Sequence, residues 1–261
     1  MILDEIVKAA RKRVSREKEQ QGLDEMKKRA LSIKSRTGFP FESMLHEGKM
    51  QFICEVKKAS PSKGVIAEDF PYVDIAREYE RAGAGAVSVL TEPEFFQGSP
   101  QYLKEIRKQV SIPLLRKDFI IDPYQIYQAK VLGADAVLLI VSILDQAAIR
   151  EYLGICDSLG LSALVEAHDE KELEQALEAG ARVIGVNNRN LKDFTVDIEN
   201  SIRLRSKAPE NIAFVAESGI ACRQDVQQLE EARVNGVLIG ETLMRSLDKK
   251  VMLDRLRGLI P

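Results

Sequence analysis

Residues 114–121 read LLRKDFII, an apolar run that three charged residues interrupt before it resumes. A short apolar stretch that ends in a charged residue is typical of a buried strand with a polar group at its end. Here that group is Lys117, which lies in phase with Leu115 along the strand. Other apolar stretches downstream of residue 50 also end in polar residues, so we expect a ring of strands with charged groups at one end.

Strands alternate with helical patterns from residue 51 onward. We predict strands at 52–57, 86–91, 113–117, 136–141, 162–167, 183–188, 213–218 and 236–240. The predicted helices are 71–82, 100–110, 123–132, 146–159, 169–179, 198–207, 222–232 and 242–258. Such alternation indicates an α/β protein with a parallel sheet. The 261 residues suit one (βα)8 TIM barrel, which typically needs about 250.

A weak internal repeat supports closure of the sheet. AGAGAV (82–87), LGADAV (132–137) and AGARVI (179–184) each join a helix end to the next strand. Glycine at that place suits a left-handed helix C-cap. An open doubly wound sheet is the alternative, but no GxGxxG motif follows the first strand.

The segment ahead of the barrel is predicted to be helical. Its apolar residues fall at helical spacing in two groups, namely Ile2, Ile6, Ala9, Ala10 and Val14, then Met26, Ala30 and Leu31. One narrow apolar stripe is too little for an independent core. We therefore expect residues 1–48 to be an N-terminal helical extension packed on a barrel of residues 49–261, within one structural domain.

Charge and cysteine usage limit the class of partner. Lys and Arg total 38 and Asp and Glu 40, so the net charge of −2 gives no support for a nucleic-acid or membrane partner. Three widely separated cysteines without a CxxC pair favour a reducing compartment and argue against a zinc site. We expect the protein to be cytoplasmic and monomeric and to hold no metal.

Five predicted strands end in charged or amide side chains, which a parallel barrel brings to one mouth. In the first strand, alternation places Glu55 and Lys57 on the same face as Ile53. The groups predicted to face this mouth are Glu55, Lys57, Lys117, Glu166, Asn187, Arg189, Glu217 and Ser218. Lysines beside carboxylates shift one another's pKa values and suit general acid–base catalysis. We expect His168, two residues past Glu166, to open the next helix rather than to act in the chemistry.

Two glycine-bearing turns predict an anion site. Ser218-Gly219 ends the seventh strand, and Gly240-Glu241 leads from the eighth strand into a helix. Backbone N–H groups in such turns hold phosphate in many barrels. We expect the carboxylate of Glu241 to turn away, with Lys57 supplying positive charge.

Two further features complete the predicted pocket. Phe96, Phe119 and Leu138 lie near strand ends and are expected to line an apolar pocket of ring size. The long loop after the first strand carries Ser60 and is a candidate lid, although a plain surface loop fits its composition equally well.

Together these motifs resemble those of one enzyme family. The motifs, in chain order between residues 54 and 245, are CEVKKASPSKG, SVLTEPEFFQGS, LLRKDFIIDPYQI, GADAVLLIV, LVEAHDEKEL, IGVNNRNL, VAESGI and LIGETLMR. They are similar to those of indole-3-glycerol phosphate synthase. The helical N-terminus also resembles the segment that precedes the barrel in that family.

The resemblance implies a carboxy-lyase of tryptophan biosynthesis. Such an enzyme converts 1-(2-carboxyphenylamino)-1-deoxyribulose 5-phosphate to indole-3-glycerol phosphate, releasing carbon dioxide and water without a cofactor. It implies that Lys117 is the general acid of ring closure and that Glu166 is the general base. Either Lys117 or Lys57 would be the acid of the dehydration step. The other implied catalytic residues are Glu55, Lys57, Asn187, Glu217 and Ser218. The implied substrate-binding residues are Ser60, Phe96, Phe119, Leu138, Arg189, Gly219, Gly240 and Glu241.

Two other functions would use the same phosphate loops. A phosphosugar isomerase of the tryptophan or histidine pathway would not need EVKK together with RKDF. A non-catalytic barrel that binds a phospholigand would not need Lys117 or Glu166.

Overall fold

Eight short parallel strands close into a barrel, which confirms the predicted (βα)8 fold. The computed structural model describes residues 2–34, 38–190 and 194–261. Each strand pairs with its neighbours in sequence, and the last strand pairs with the first. The strands are β1 (Gln51–Val56), β2 (Ala86–Leu90), β3 (Leu114–Lys117), β4 (Ala136–Ile140), β5 (Ser162–Ala167), β6 (Val183–Asn187), β7 (Ala213–Glu217) and β8 (Gly236–Ile239). All eight begin and end within one residue of their predicted bounds.

Helices cover the outside of the barrel and one of its ends. In chain order they are α1 (Ile2–Gln20), α2 (Leu23–Ser32), α3 (Pro40–Leu45), α4 (Tyr72–Arg81), α5 (Pro100–Arg107), α6 (Pro123–Leu132), α7 (Gln146–Leu159), α8 (Glu170–Ala179), α9 (Glu199–Arg205), α10 (Arg223–Glu231), α11 (Glu241–Arg245) and α12 (Lys249–Arg257). None of these helices is long and apolar enough to span a bilayer. The predicted left-handed conformation occurs at Gly83, Gly133 and Gly180, whose φ angles are 83°, 91° and 96°.

Two helix predictions were wrong in detail. The single helix predicted at 242–258 is divided into α11 and α12, because the backbone is extended at Ser246 and Asp248. Asp248 then caps α12 by accepting a hydrogen bond from the backbone N–H of Val251 at 2.9 Å. Leu31, predicted to be on the buried face of α2, is 55% exposed, since it lies about 100° around the helix from buried Ala30.

Alternation along the strands separates two apolar cores. In β1, Ile53 faces the barrel interior, while Cys54 and its alternate neighbours pack against the helices, as predicted. α3, which was not predicted as a separate helix, inserts Phe41 and Leu45 against the inward residues at the N-terminal end of the barrel. Apolar side chains thus fill that end, and the polar strand ends face the other mouth.

A buried ion-pair network joins α1 to the end of β3. Arg13 donates to Oδ1 of Asp118 at 2.7 Å, and the fully buried Arg116 donates to Oδ2 at 2.9 Å. Burial would raise the pKa of Asp118, but the two guanidinium groups outweigh it and lower the pKa. Asp118 directly follows Lys117, so this network fixes the backbone beside that lysine. The division of the chain into an extension and a barrel within one domain stays a prediction.

Removal of the buried pair should destabilise the protein more than removal of an exposed pair on the same helix. Arg13→Gln removes one of the two hydrogen bonds that a guanidinium group donates to Asp118. We therefore expect the free energy of unfolding, measured in urea, to fall by about 2 kcal/mol. Lys18 also pairs with the barrel, 2.6 Å from Asp122, but both side chains are partly exposed. Lys18→Gln should therefore change stability by less than about 1 kcal/mol. Equal losses in the two variants would contradict the importance assigned to the buried network.

Candidate active site

The C-terminal mouth of the barrel opens into a cavity of about 460 Å³. This volume suits a small phosphorylated or aromatic ligand. The cavity wall includes every site residue predicted from the sequence: Glu55, Lys57, Ser60, Phe96, Lys117, Phe119, Leu138, Glu166, Asn187, Arg189, Glu217, Ser218, Gly219, Gly240 and Glu241. The structure thus brings the predicted set together, because the carboxyl ends of all eight parallel strands point to one mouth.

Lys117 occupies the centre of the charged part of the cavity. Its Nζ lies 3.3 Å from Oε2 of Glu217 and 3.6 Å from Oε2 of Glu166. The lysine side chain is only 15% exposed, and burial alone would lower its pKa. The carboxylates of Glu217, Glu166 and Glu55 outweigh this effect and raise the pKa of Lys117 above its usual value. The side chain is therefore an ammonium group that faces the cavity.

Glu55 and Lys57 form a second acid–base pair on β1 and just beyond it. Nζ of Lys57 lies 2.5 Å from Oε1 of Glu55. Burial opposes ionisation of Glu55, but Lys57 and Lys117 outweigh it and lower the pKa of Glu55. The lysine also lies against the anion loop, because a methyl group at Gly240 would come within 2.7 Å of its Nζ. Gly240 thus makes room for this pair.

Polar and cationic nitrogens surround Glu166. Besides the salt bridge with Lys117, Nδ2 of Asn187 donates a hydrogen bond to Oε1 of Glu166 at 3.3 Å. His168 places its Nε2 3.4 Å from the same oxygen. As predicted, His168 directly precedes the next helix, whose N-cap is Asp169. Its spacing of two residues from Glu166 is consistent with this contact, because alternate residues of an extended chain share a face.

Glu217 is almost completely buried. Burial raises its pKa to about 7; Lys117 opposes that shift, and the nearby Glu166 reinforces it. The space for this carboxylate exists because β6 carries Gly185, where any side chain would collide with it. The carboxyl oxygens of Glu217 have no hydrogen-bond partner among the described residues, and Lys117 is their nearest cation.

The predicted anion loop after β7 has an unusual backbone. Ser218 and Gly219 have positive φ angles of 68° and 84°, which is rare for serine. Asn188 braces this turn, because its Nδ2 donates to the backbone oxygen of Ser218 at 3.1 Å. Asn188 is itself held by Ser201, which donates to its side-chain oxygen. A strained turn that neighbours hold in place is typical of a ligand-binding site.

Glu241 lies at the second anion loop with its charge already paired. Its Oε1 lies 3.4 Å from Nζ of Lys63 and 3.2 Å from Nε of Arg245. Lys63 belongs to the loop after β1, where two-residue strands, Ala59–Ser60 and Gly64–Val65, form a hairpin. Two cations therefore offset the carboxylate that the sequence placed beside the anion site. Motion of this loop as a lid stays a prediction.

The other side of the cavity is apolar. The rings of Phe96 and Phe119 lie 5.9 Å apart at an angle of 37°, and Leu138 contributes to the same wall. The loop that carries Phe96 is held by the buried Glu92, whose Oε2 accepts hydrogen bonds from the backbone N–H groups of Phe95 and Phe96 at 2.7 and 3.0 Å. This wall fits an aromatic ring.

Several lining residues were missed from the sequence. Ile2, Leu3 and Ile6 of α1 contribute to the wall, as do Lys63 and Arg245. The apolar stripe of α1 was recognised, but a stripe gives no sign of which surface it covers. Nothing in the sequence around Lys63 or Arg245 indicates that its side chain reaches the cavity, apart from its proximity in the chain to a predicted loop of the site.

Solved structures resemble this barrel at low sequence identity. 3-Hexulose-6-phosphate synthase from Salmonella typhimurium matches with a TM-score of 0.67 and 14% identity, over 80% of this chain and 98% of that chain. Thiamine phosphate pyrophosphorylase from Pyrococcus furiosus matches with a TM-score of 0.62 and 18% identity, over 82% and 96%. At such identities the similarity shows the fold alone.

Sequence comparison is far more specific. A family model for indole-3-glycerol phosphate synthase matches residues 3–256. The chain is 57% identical over 258 residues to an indole-3-glycerol phosphate synthase of Ruminiclostridium cellulolyticum, with 99% of each chain covered. It is 53% identical over 271 residues to one of Lachnoclostridium phytofermentans, with 100% of each chain covered. The chain therefore belongs to the indole-3-glycerol phosphate synthase family.

Proposed function

We propose that this cavity converts 1-(2-carboxyphenylamino)-1-deoxyribulose 5-phosphate to indole-3-glycerol phosphate, with Lys117 as general acid and Glu166 as general base. The observation that carries the proposal is the ammonium group of Lys117, held between Glu217 and Glu166 at the mouth of a closed barrel. It stands between an apolar wall and two anion loops.

The cavity orients such a substrate from its two ends. Phe96, Phe119 and Leu138 receive the aromatic ring, while the phosphate binds the backbone N–H groups of 218–219 and 240–241. Lys57, which lies against Gly240, adds positive charge at the phosphate end. The ketone in the middle of the substrate then faces Lys117. The remaining implied contacts come from Ser60, Arg189 and Glu241.

Ring closure needs an acid at the ketone oxygen. The ring carbon that bears the carboxylate attacks the ketone carbon, and Lys117 gives its proton to the oxygen, which becomes a hydroxyl. The bond to the carboxylate then breaks, carbon dioxide leaves, and its electron pair restores the aromatic ring. The buried carboxylates stabilise the ammonium before the step, since charge pairs interact more strongly away from bulk water.

Dehydration needs an acid and a base. The new hydroxyl leaves as water with a proton from an ammonium group, and Glu166 takes a proton from the adjacent CH₂ carbon. The electrons of that C–H bond form the second double bond of the indole. Lys117 and Lys57 both present an ammonium group to the cavity and are the candidates for this acid. Asn187 donates to Glu166 and so orients the base.

Protonation of Glu217 changes the net charge around Lys117 and Glu166. With its pKa raised to about 7, it is partly protonated near neutral pH. A protonated Glu217 does not repel the carboxylate of Glu166, so Glu166 can serve as the base while Lys117 keeps its proton. Ser218, which follows Glu217, belongs to the anion loop.

The family assignment excludes the two alternative functions, the phosphosugar isomerase and the non-catalytic barrel that binds a phospholigand. Three expectations from the sequence stay predictions: a monomeric state, a cytoplasmic location and a reaction without metal or cofactor. The electrons of the proposed reaction move within the substrate, which supports the last of these.

Kinetics of three variants should separate the acid and the base from a residue that only binds. Product formation can be followed by indole fluorescence. Lys117→Ala and Glu166→Gln should each lower kcat by roughly 10²–10⁴, the usual span for a general acid or base, with smaller effects on KM. Lys57→Ala should raise KM more than it lowers kcat if Lys57 mainly holds phosphate. Lys250→Ala, an exposed lysine on α12, is the control. A near-normal kcat in Lys117→Ala would transfer the acid role to Lys57, and wild-type protein that forms no indole would refute the function.

The pKa of Glu217 predicts a pH-dependent loss of stability. An acid whose pKa is raised on folding, from 4.5 to about 7, holds more protons in the folded state across that interval. The contribution of Glu217 to the free energy of unfolding therefore falls as pH rises from 4.5 to 7. Glu217→Gln should remove part of that fall, whereas Glu230→Gln, at an exposed pair on α10, should leave it unchanged. Parallel pH curves for wild type and Glu217→Gln in urea unfolding would contradict the raised pKa.

A further inference from the structure

An imidazole stands behind Glu166, outside the wall of the cavity. Nε2 of His168 lies 3.4 Å from Oε1 of Glu166, and Nδ1 lies 3.0 Å from Oε2 of Glu172. The ring is thus flanked by one carboxylate that faces the cavity and one that does not. No step of the reaction described above uses His168.

The contacts of the ring determine its protonation. A carboxylate oxygen only accepts hydrogen bonds, so each ring nitrogen must carry a hydrogen for both contacts to be favourable. A neutral imidazole would turn a lone pair toward one of the two carboxylates. Nε2 is buried and makes no hydrogen bond among the described residues, so its contact with Glu166 is a pairing of charges. The geometry therefore favours the doubly protonated imidazolium.

The surrounding backbone holds His168 in place. Oε2 of Glu172 also accepts from the backbone N–H of His168 at 2.8 Å, while Asp169 caps the first turn of α8. From α9, Asn200 donates to the backbone oxygen of His168 at 3.0 Å. The ring is therefore fixed by two helices and does not depend on Glu166 for its position.

We propose that His168 is a positioning residue that keeps Glu166 ionised as the catalytic base, with Glu172 as its anchor. The inference rests on the proposed role of Glu166. The imidazolium adds a second positive charge beside that carboxylate, next to Lys117, while Asn187 donates a hydrogen bond to it. His168 does not line the cavity, so it leaves the cavity free.

The charges that face the ring support this assignment. Burial disfavours the imidazolium, but the hydrogen bond to Glu172 and the charge of Glu166 outweigh it and raise the pKa of His168. Glu217 on β7 acts in the same direction. The ammonium of Lys117 on β3 also pairs with Glu166, and because it carries the same sign of charge as the imidazolium it would oppose this rise. The imidazolium form of His168 thus persists to a higher pH than in an ordinary histidine.

Loss of the imidazolium should change the pH dependence of the reaction. A positive charge within about 4–6 Å favours the ionised form of a carboxyl by about 1–3 pH units. In His168→Gln the acidic limb of the kcat profile should therefore move to higher pH by about one unit. At a pH below that limb, kcat should fall about tenfold further than in wild type, with KM little changed. A merely structural role would lower kcat at every pH alike.

Two neighbouring glutamates on α8 offer a matched comparison. Glu172→Gln removes the anchor of Nδ1 and should move the acidic limb in the same direction, by less than His168→Gln. Glu170→Gln, two residues away, alters an exposed pair with Lys207 and should leave the limb in place. An acidic limb that stays in place in both His168→Gln and Glu172→Gln would overturn the inference.

NMR tests the charge of His168 without reference to catalysis. The chain has two histidines, so His46→Gln assigns the remaining imidazole signal to His168. We expect His168 to titrate above 6.5, with protons on both ring nitrogens below its pKa. Titration at or below 6.5 would overturn the inference even if the enzyme is active. Protein that titrates as expected but forms no indole would instead refute the proposed function.

Discussion

The rest of the site depends on one buried cation held between two carboxylates. A lysine ammonium at the end of β3 is stable there because Glu166 and Glu217 face it from β5 and β7. A buried charge without such partners would be costly. The closed barrel makes the arrangement possible, since it brings strands that are distant in sequence to one mouth. α3 closes the opposite end with apolar side chains, so the charges are confined to the mouth.

Around this cation the molecule separates three kinds of environment. An apolar wall with Phe96 and Phe119 stands on one side, and the two glycine-bearing turns stand on the other, the first of them with a strained backbone at Ser218. Arg13 of α1 pairs with Asp118, the residue after the lysine, and so links the N-terminal segment to the catalytic strand. The same helix contributes apolar residues to the wall of the cavity, so the N-terminal segment contacts both the buried network and the cavity.

The strands and their inward residues could be predicted because both follow from local rules. A period of two fixes which side chains of a strand face inward, and parallel closure fixes which end they share. Lys117, Glu166 and Glu217 were found in this way. Contacts that depend on how helices pack were not predictable. The insertion of α3 into one end of the barrel and the pairing of Arg13 with Asp118 join residues that are distant in the chain, and neither leaves a periodic pattern.

The most direct test of the central claim is a crystal structure with a reduced substrate, in which the ketone is replaced by an alcohol that cannot react. We expect its oxygen within about 3 Å of Nζ of Lys117, the span of a catalytic hydrogen bond. The phosphate should lie on the backbone of 218–219 and 240–241, and the ring against Phe96 and Phe119. An alcohol oxygen bound to Lys57 and remote from Lys117, or a phosphate outside the two loops, would contradict the assignment.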